Sequence, residues 1–204
     1  MTEGGDFSQD TKSLLERHGE TLLALAQQSI RYGLEHGKPL PVDPGGYAAE
    51  LSQTGACFIT LKQDGKLRGC IGTPEAHQAL IIDVAQNAFR AAFQDPRFPN
   101  LTAGELVRTE LSISVLSPQT PITFSDEADF LSKLQPGVDG LVIEDGGRRA
   151  LFLPSVWAQL PGPETFLQHL KVKAGLAADH WSDEFKAWRF TAEETAGVQV
   201  NAHV

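Results

Sequence analysis

The chain has 204 residues, 41% of them hydrophobic and 21% charged, and carries a formal net charge of −9. That balance belongs to a globular protein with a sizeable core, and the acidic excess argues against a surface built for nucleic acid or anionic membrane. Two cysteines make no disulfide framework, no apolar run approaches the ~18 residues that span a bilayer, and the N-terminal MTEGGDFSQD lacks a signal-peptide layout, so a reducing, cytoplasmic location is expected.

Residues 1–12 are polar and expected to fray, 13–195 to form one domain with two subdomains, and 196–204 to be a tail. Ser13 and Glu16 have capping-box spacing, and Leu22, Leu25, Ala26, Ile30 and Leu34 share one helical face, which predicts a helix over 13–36 ended by Gly37. A loop with three prolines follows. Gly55 to Lys62 and Lys66 to Gly72 then read as a hairpin around Gln63-Asp64-Gly65. A three-residue loop would set Phe58 opposite Cys70 and Thr60 opposite Arg68; a two-residue Asp-Gly turn would set Ile59 and Leu61 there instead. Matching polar to polar favours the first register.

Thr73-Pro74-Glu75 reads as the start of a helix running to about Phe93, with Leu80, Val84, Ala88 and Ala92 inward, and Asp95-Pro96-Arg97-Phe98-Pro99 stops it. Glu110 to Leu116 alternates as a strand, 126–135 suggests a short helix, and Gly140 to Leu153 a second hairpin around Gly146-Gly147. A short helix over 154–160, a longer one over 163–174 with Phe166, Leu167 and Leu170 inward and Gly175 as its cap, and a strand over 187–191 complete the order.

Within Leu67-Arg68-Gly69-Cys70-Ile71-Gly72, period-two alternation puts Arg68 and Cys70 on one face, roughly 7 Å apart along the strand. An arginine beside a thiol favours the thiolate, which is both the nucleophile and the soft-metal ligand. The opposing reading is a small buried residue in a tightly packed strand. Gly69 and Gly72 admit a close approach of backbone or ligand. His77 could reach back towards Cys70, Glu110 could pair with Arg68 across a shared face, and Arg97 could bind an anion with Asp95 orienting it. The plain alternatives are an exposed His77, and Asp95 and Arg97 serving only as loop ties. The six histidines show no metal-ligand spacing and no phosphate-binding glycine loop is present, so neither a metal nor a cofactor is expected.

These segments, with Gly137-Val138-Asp139-Gly140-Leu141, Leu153-Pro154-Ser155-Val156-Trp157, Phe166-Leu167 and Lys173-Ala174-Gly175-Leu176, closely resemble the AMMECR domain family from about Leu14 to Phe190. Its bacterial and archaeal members are often called AmmeMemoRadiSam system protein A. The resemblance implies an α+β fold of two unequal subdomains with mostly antiparallel sheets flanked by helices. It also implies association with a Memo-like protein and a radical SAM enzyme, but no established reaction. Many members carry a second cysteine where this chain has Lys171, which weighs against a mechanism needing a cysteine pair.

Two functions follow as expectations. One is an enzyme or catalytic subunit using Cys70, Arg68 and Glu110 in an inter-subdomain cleft on a small anionic or carbonyl-containing substrate. The other is a non-catalytic partner presenting the Leu67–Gly72 surface, with Asp95, Arg97 and His77 nearby. A nucleic-acid binder is the third and weakest class.

Overall fold

Alternating apolar and polar residues open the first unit as a long helix and a meander of strands. The computed structural model describes the backbone of residues 7–200, with side chains from Thr11 onward. Helix α1 spans Phe7–His36, so it begins ahead of Ser13, and Ser13 accepts a bond from Arg17 one turn on instead of capping. Thr11 is buried, which gives the extra turn a packed side chain that a polar string of letters does not advertise. Residues 1–6 and 201–204, parts of the expected frayed end and tail, lie outside the described residues.

The hairpin pairs β1 (Thr54–Gln63) with β2 (Lys66–Gly72). Its turn has two residues, Asp64 and Gly65, both at positive φ (50° and 74°), the twist that tight hairpins favour. The three-residue loop is therefore corrected: Gln63 pairs with Lys66 and Lys62 with Leu67. A bulge then leaves Arg68 as the extra residue on β2, so that Leu61 meets Gly69, Thr60 meets Cys70 and Phe58 meets Gly72. One inserted residue reconciles the Asp-Gly turn with Thr60 beside Cys70, where a uniform register would have set apolar Ile59.

A short β3 (Gln78–Ala79) pairs with β1, and α2 covers Leu80–Phe93. The helix thus starts later than Thr73-Pro74-Glu75 suggests, because residues 78–79 are drawn into the sheet first. A 3-10 turn over Ala103–Arg108 leads into β4 (Thr109–Leu116), which lies beside β1. From the C-terminal end, β9 (Ala192–Glu194) and β10 (Val198–Gln199) join β4, giving the order β10-β4-β1-β2 with β2 at the edge. Ile59, Leu61, Leu111 and Ile113 on one sheet face pack with Leu22, Leu25 and Ile30 of α1 and Ile81, Val84 and Ala88 of α2. Each leucine, isoleucine or valine among them stabilises the fold by roughly 1.5–3 kcal/mol before chain entropy is counted.

The chain packs as two units, one running to Leu116 and resuming at Glu193, the other Ser117–Ala192. The second unit holds β5 (Thr120–Pro121), β6 (Gly140–Asp145), β7 (Arg148–Phe152) and β8 (Lys186–Phe190) as an antiparallel sheet in the order β5-β8-β6-β7. Helices α3 (Glu127–Ser132) and α4 (Pro163–Lys173) supply Phe130, Phe166, Leu167 and Leu170 to its core. Gly175, at φ 79°, terminates α4. The fold is α+β.

Candidate functional site

An edge strand leaves a row of N–H and C=O groups without a neighbour. On β2 the groups of Cys70 are taken up by side chains. The Cys70 N–H donates to Asp95 Oδ2 at 2.9 Å, and Arg97 Nη2 donates to the Cys70 carbonyl at 3.1 Å. Asp95 and Arg97 are themselves joined by Nη2–Oδ2 and Nε–Oδ1 bonds of 2.6 and 2.9 Å, across Pro96, which sets the backbone between them. The Arg97 bond, against burial and with the Cys70 and Arg97 N–H groups adding to it, holds the Asp95 carboxyl well below the usual range. The loop after α2 thus acts as a side-chain substitute for one more strand.

The bulge decides where the two charged neighbours of Cys70 point. A Cβ on Gly69 would lie 2.2 Å from the Ala91 carbonyl oxygen, so Gly69 faces α2 at a distance that excludes any side chain. Cys70 faces the other way with its cross-strand partner Thr60, whose hydroxyl lies 3.6 Å from the sulfur. Regular alternation would bring Arg68 to that same face. Instead, the Arg68 side chain bonds Glu105 through Nε at 3.1 Å and Nη2 at 3.4 Å, and Glu105 also accepts from Gln63, which bonds the buried Thr109. Arg68 therefore lies on the core side of the sheet, 8% exposed, and the expectation of a shared Arg68–Cys70 face is corrected.

Burial alone would raise the Glu105 carboxyl, but bonds from Arg68, from the Thr102 backbone and hydroxyl and from Gln63 bring it down to about 2. The Arg68 guanidinium carbon sits 5.9 Å from the Phe98 ring centroid, and its buried Nη1 has no acceptor among the described residues. Arg97 stacks towards the same ring at 5.4 Å.

The far end of the motif is anchored by Asp83, fully buried in α2. Its carboxylate accepts from the Cys57 N–H and thiol, the Thr73 hydroxyl, Gln78 and Asn87. Burial, then the charge and hydrogen bond of Asp83, push the Cys57 thiol far up, which leaves that cysteine inert. Both cysteines are free, and Cys70 is half-buried.

The remaining expected residues lie elsewhere. Glu110 is on β4 opposite Lys62 and Gln199, one strand removed from β2, and its carboxylate lies against Gly197. Arg68 takes Glu105 as its acid. His77 is exposed in the segment ahead of α2, its ring near the Glu75 carbonyl at 3.1 Å. Gly72 is a packing glycine, since a Cβ there would meet the Phe58 ring at 2.2 Å. Among the described residues no His, Cys, Asp and Glu cluster is arranged to hold a metal ion, and no helix is long and apolar enough to cross a membrane.

Two local patterns in the sequence signal further residues of the site. Thr102-x-x-Glu105 has capping-box spacing directly before β4, and that box forms. Asp83 and Asn87 fall beside Leu80, Val84 and Ala88 on the apolar stripe of α2, where a polar side chain signals a buried network.

An α+β protein with a braced, glycine-packed edge strand is thereby defined. The AMMECR1 family model matches residues 23–195, and the chain belongs to that family. A protein of Methanothermobacter thermautotrophicus is 38% identical over 177 residues, covering 86% of this chain and 92% of its own. One of Thermotoga maritima is 34% identical, covering 78% and 88%. The crystal structure of an uncharacterized protein from Pyrococcus horikoshii superposes with a TM-score of 0.77 at 33% identity, covering 87% of this chain and 90% of that one.

Proposed function

We propose that this protein is a binding component whose docking surface is the β2 edge with the loop and 3-10 turn that brace it. The carrying observation is that the charged residues of the motif and of its bracing loop are held in ion pairs, while apolar residues close to them in sequence are exposed. Arg68 is locked to Glu105 and Asp95 to Arg97. Leu67, one residue before Arg68, is 42% exposed, and Val107, two after Glu105, is 63% exposed. Exposed apolar side chains beside ion-paired charges are the makings of an interface. A Memo-like protein or a radical SAM enzyme, the partners that family resemblance implies, is the proposed occupant.

Titration calorimetry of the purified chain with each candidate tests this. Leu67→Asp and Val107→Asp are expected to weaken binding by about tenfold or more, the scale of a lost interface anchor, with melting temperature unchanged. Binding by neither candidate, or equal binding by the variants, overturns the reading.

A second reading, an enzyme or catalytic subunit using the Cys70 thiol on a small anionic substrate, is favoured by the half-exposed Arg97 guanidinium bonded to the Cys70 carbonyl. Arg97, its guanidinium held protonated first by the Asp95 bond, against burial, is the cation nearest the Cys70 backbone. Against this reading, the sulfur's one hydrogen-bond partner among the described residues is Thr60, and no histidine or carboxylate bonds it as a base would. Alkylation rate as a function of pH separates the two. A binding component labels at Cys70 like an ordinary thiol, and Cys57 labels only on unfolding. Fast labelling of Cys70 at neutral pH, lost in Cys70→Ser, would establish the thiol reading in its place.

A further inference from the structure

The sheet of the first unit has two edges, and the one away from β2 carries a groove. It runs between one face of α1 and the segment that holds β9 and β10, and its cavity measures about 470 Å³. Leu15, Gly19 and Leu23 recur at four-residue steps along α1, and Val198 contributes from β10. The three apolar side chains are partly buried against the core. Along α1 they make an apolar floor roughly 12 Å long.

Gly19 stands inside a 30-residue helix, where glycine is less favourable than alanine. No packing contact demands it: a Cβ there would come no closer than 3.7 Å, to the Thr195 methyl, an ordinary van der Waals distance. Thr195 lines the same groove, so the missing side chain leaves the floor lower than the packing of α1 requires. Carboxylates stand along it: Glu16 and Glu20, exposed and one helical turn apart, with Glu193 and Glu194 from the β9 side. Glu194 accepts from Ser112 Oγ at 2.6 Å, whereas among the described residues Glu16, Glu20 and Glu193 have no ion-pair partner. Arg17, beside Glu16 in the chain, is turned to Ser13 and Glu50 instead.

We propose that this groove receives a short amphipathic segment of a second protein, apolar on one face with lysine or arginine beside it. Four carboxylates against one lining lysine, Lys12, give the groove a negative field that a cationic partner satisfies and an acidic one does not. The apolar floor supplies what charge alone does not, because exposed ion pairs contribute little by themselves. A helix of about eight residues spans that floor, and cations one turn apart on it match the spacing of Glu16 and Glu20. The groove and the β2 surface lie at opposite edges of the sheet and share no residue, so each is tested without the other.

Fluorescence anisotropy on the intact chain tests this with a fluorescein-labelled model peptide of leucines and lysines in amphipathic helical order. Two comparison peptides keep its length, one with glutamate for lysine and one with serine for leucine. The leucine–lysine peptide is expected to bind saturably, and both comparison peptides at least about tenfold more weakly. Glu16→Lys with Glu20→Lys should weaken binding at least about tenfold. Asp183→Lys with Glu184→Lys, the same change of net charge at exposed positions of the second unit, should leave it unchanged. Gly19→Ala should raise the melting temperature through helix propensity and yet weaken the peptide at least about threefold by raising the floor. A glycine with only a structural role would not move those two readouts in opposite directions. Absence of saturable binding, equal binding of the serine–lysine peptide, or equal binding by the Glu16 and Glu20 variant overturns the proposal. So does a groove closed by this chain itself, seen as a dimer that the same charge reversal dissociates in sedimentation, or as binding that starts only once residues 201–204 are removed.

Discussion

A methyl group at position 69 would stand 2.2 Å from the Ala91 carbonyl oxygen, and one at position 72 would stand 2.2 Å from the Phe58 ring. The first obstacle is helix backbone, which cannot step aside, so Gly69 sets how closely β2 and α2 approach. Gly69→Ala is expected to destabilise the protein by about 1–3 kcal/mol, the usual cost of forcing added volume into a packed contact. Urea unfolding measures it as a lower midpoint at unchanged slope. The motif's glycines are thus accounted for by packing, and its arginine by Glu105. Cys70 is left as the one side chain of the hexapeptide with both partial exposure and chemistry.

At the scale of elements, β2 is an edge strand defended without a further strand. Asp95, its side chain 2% exposed, accepts from the Cys70 N–H, and Arg97 covers the adjacent carbonyl. Removing the carboxylate leaves that N–H unmet and releases Arg97. Asp95→Ala is expected to cost about 1–3 kcal/mol, the penalty for an orphaned buried donor. Hydrogen exchange of the Cys70 amide should accelerate by at least about tenfold, more than exchange at the central strand β1. Equal acceleration everywhere would mean that Asp95 acts on global stability and not on the edge. The helix-stop character of Asp95-Pro96-Arg97 was readable from two prolines; its bonding to Cys70 was not, because the two segments lie 25 residues apart.

For the molecule as a whole, pH sensitivity should concentrate in the first unit. The Glu105 carboxyl falls from its ordinary 4.5 to about 2 on folding. A depressed carboxyl adds stability that is complete above the unfolded value, so this contribution is present above pH 4.5 and disappears as pH drops towards 2. Its size is on the order of 3 kcal/mol. Asp95, held lower still, adds in the same direction. Thermal melts followed by circular dichroism from pH 6 to pH 2 should show the melting temperature falling across that window. In Glu105→Gln the fall should be shallower, with lower stability at pH 6. An unchanged slope in the variant would show that other carboxyls govern the acid transition.

The sequence by itself determined the longer helices and strands and their order, the family, and the hexapeptide as a distinct motif, because periodicity, turn residues and contiguous motifs are local properties of the chain; the short strands β3, β5, β9 and β10 escaped it. It did not determine which way Arg68 points. That rests on a bulge of one residue, produced where a two-residue Asp64-Gly65 turn and the pairing of Thr60 with Cys70 must both be satisfied. Nor did it determine the partners: Glu105 for Arg68, Asp95 for Cys70, Asp83 for Thr73, and Glu127 for Lys171. Each pairing joins segments between 10 and 44 residues apart. Only chain folding brings them together, and only there does desolvation make an unpaired polar group costly enough to fix who bonds whom. The tertiary structure thus makes the motif a braced edge and not an arginine-activated thiol, and it buries Lys171 beside Glu127 on a helical stripe otherwise made of core residues.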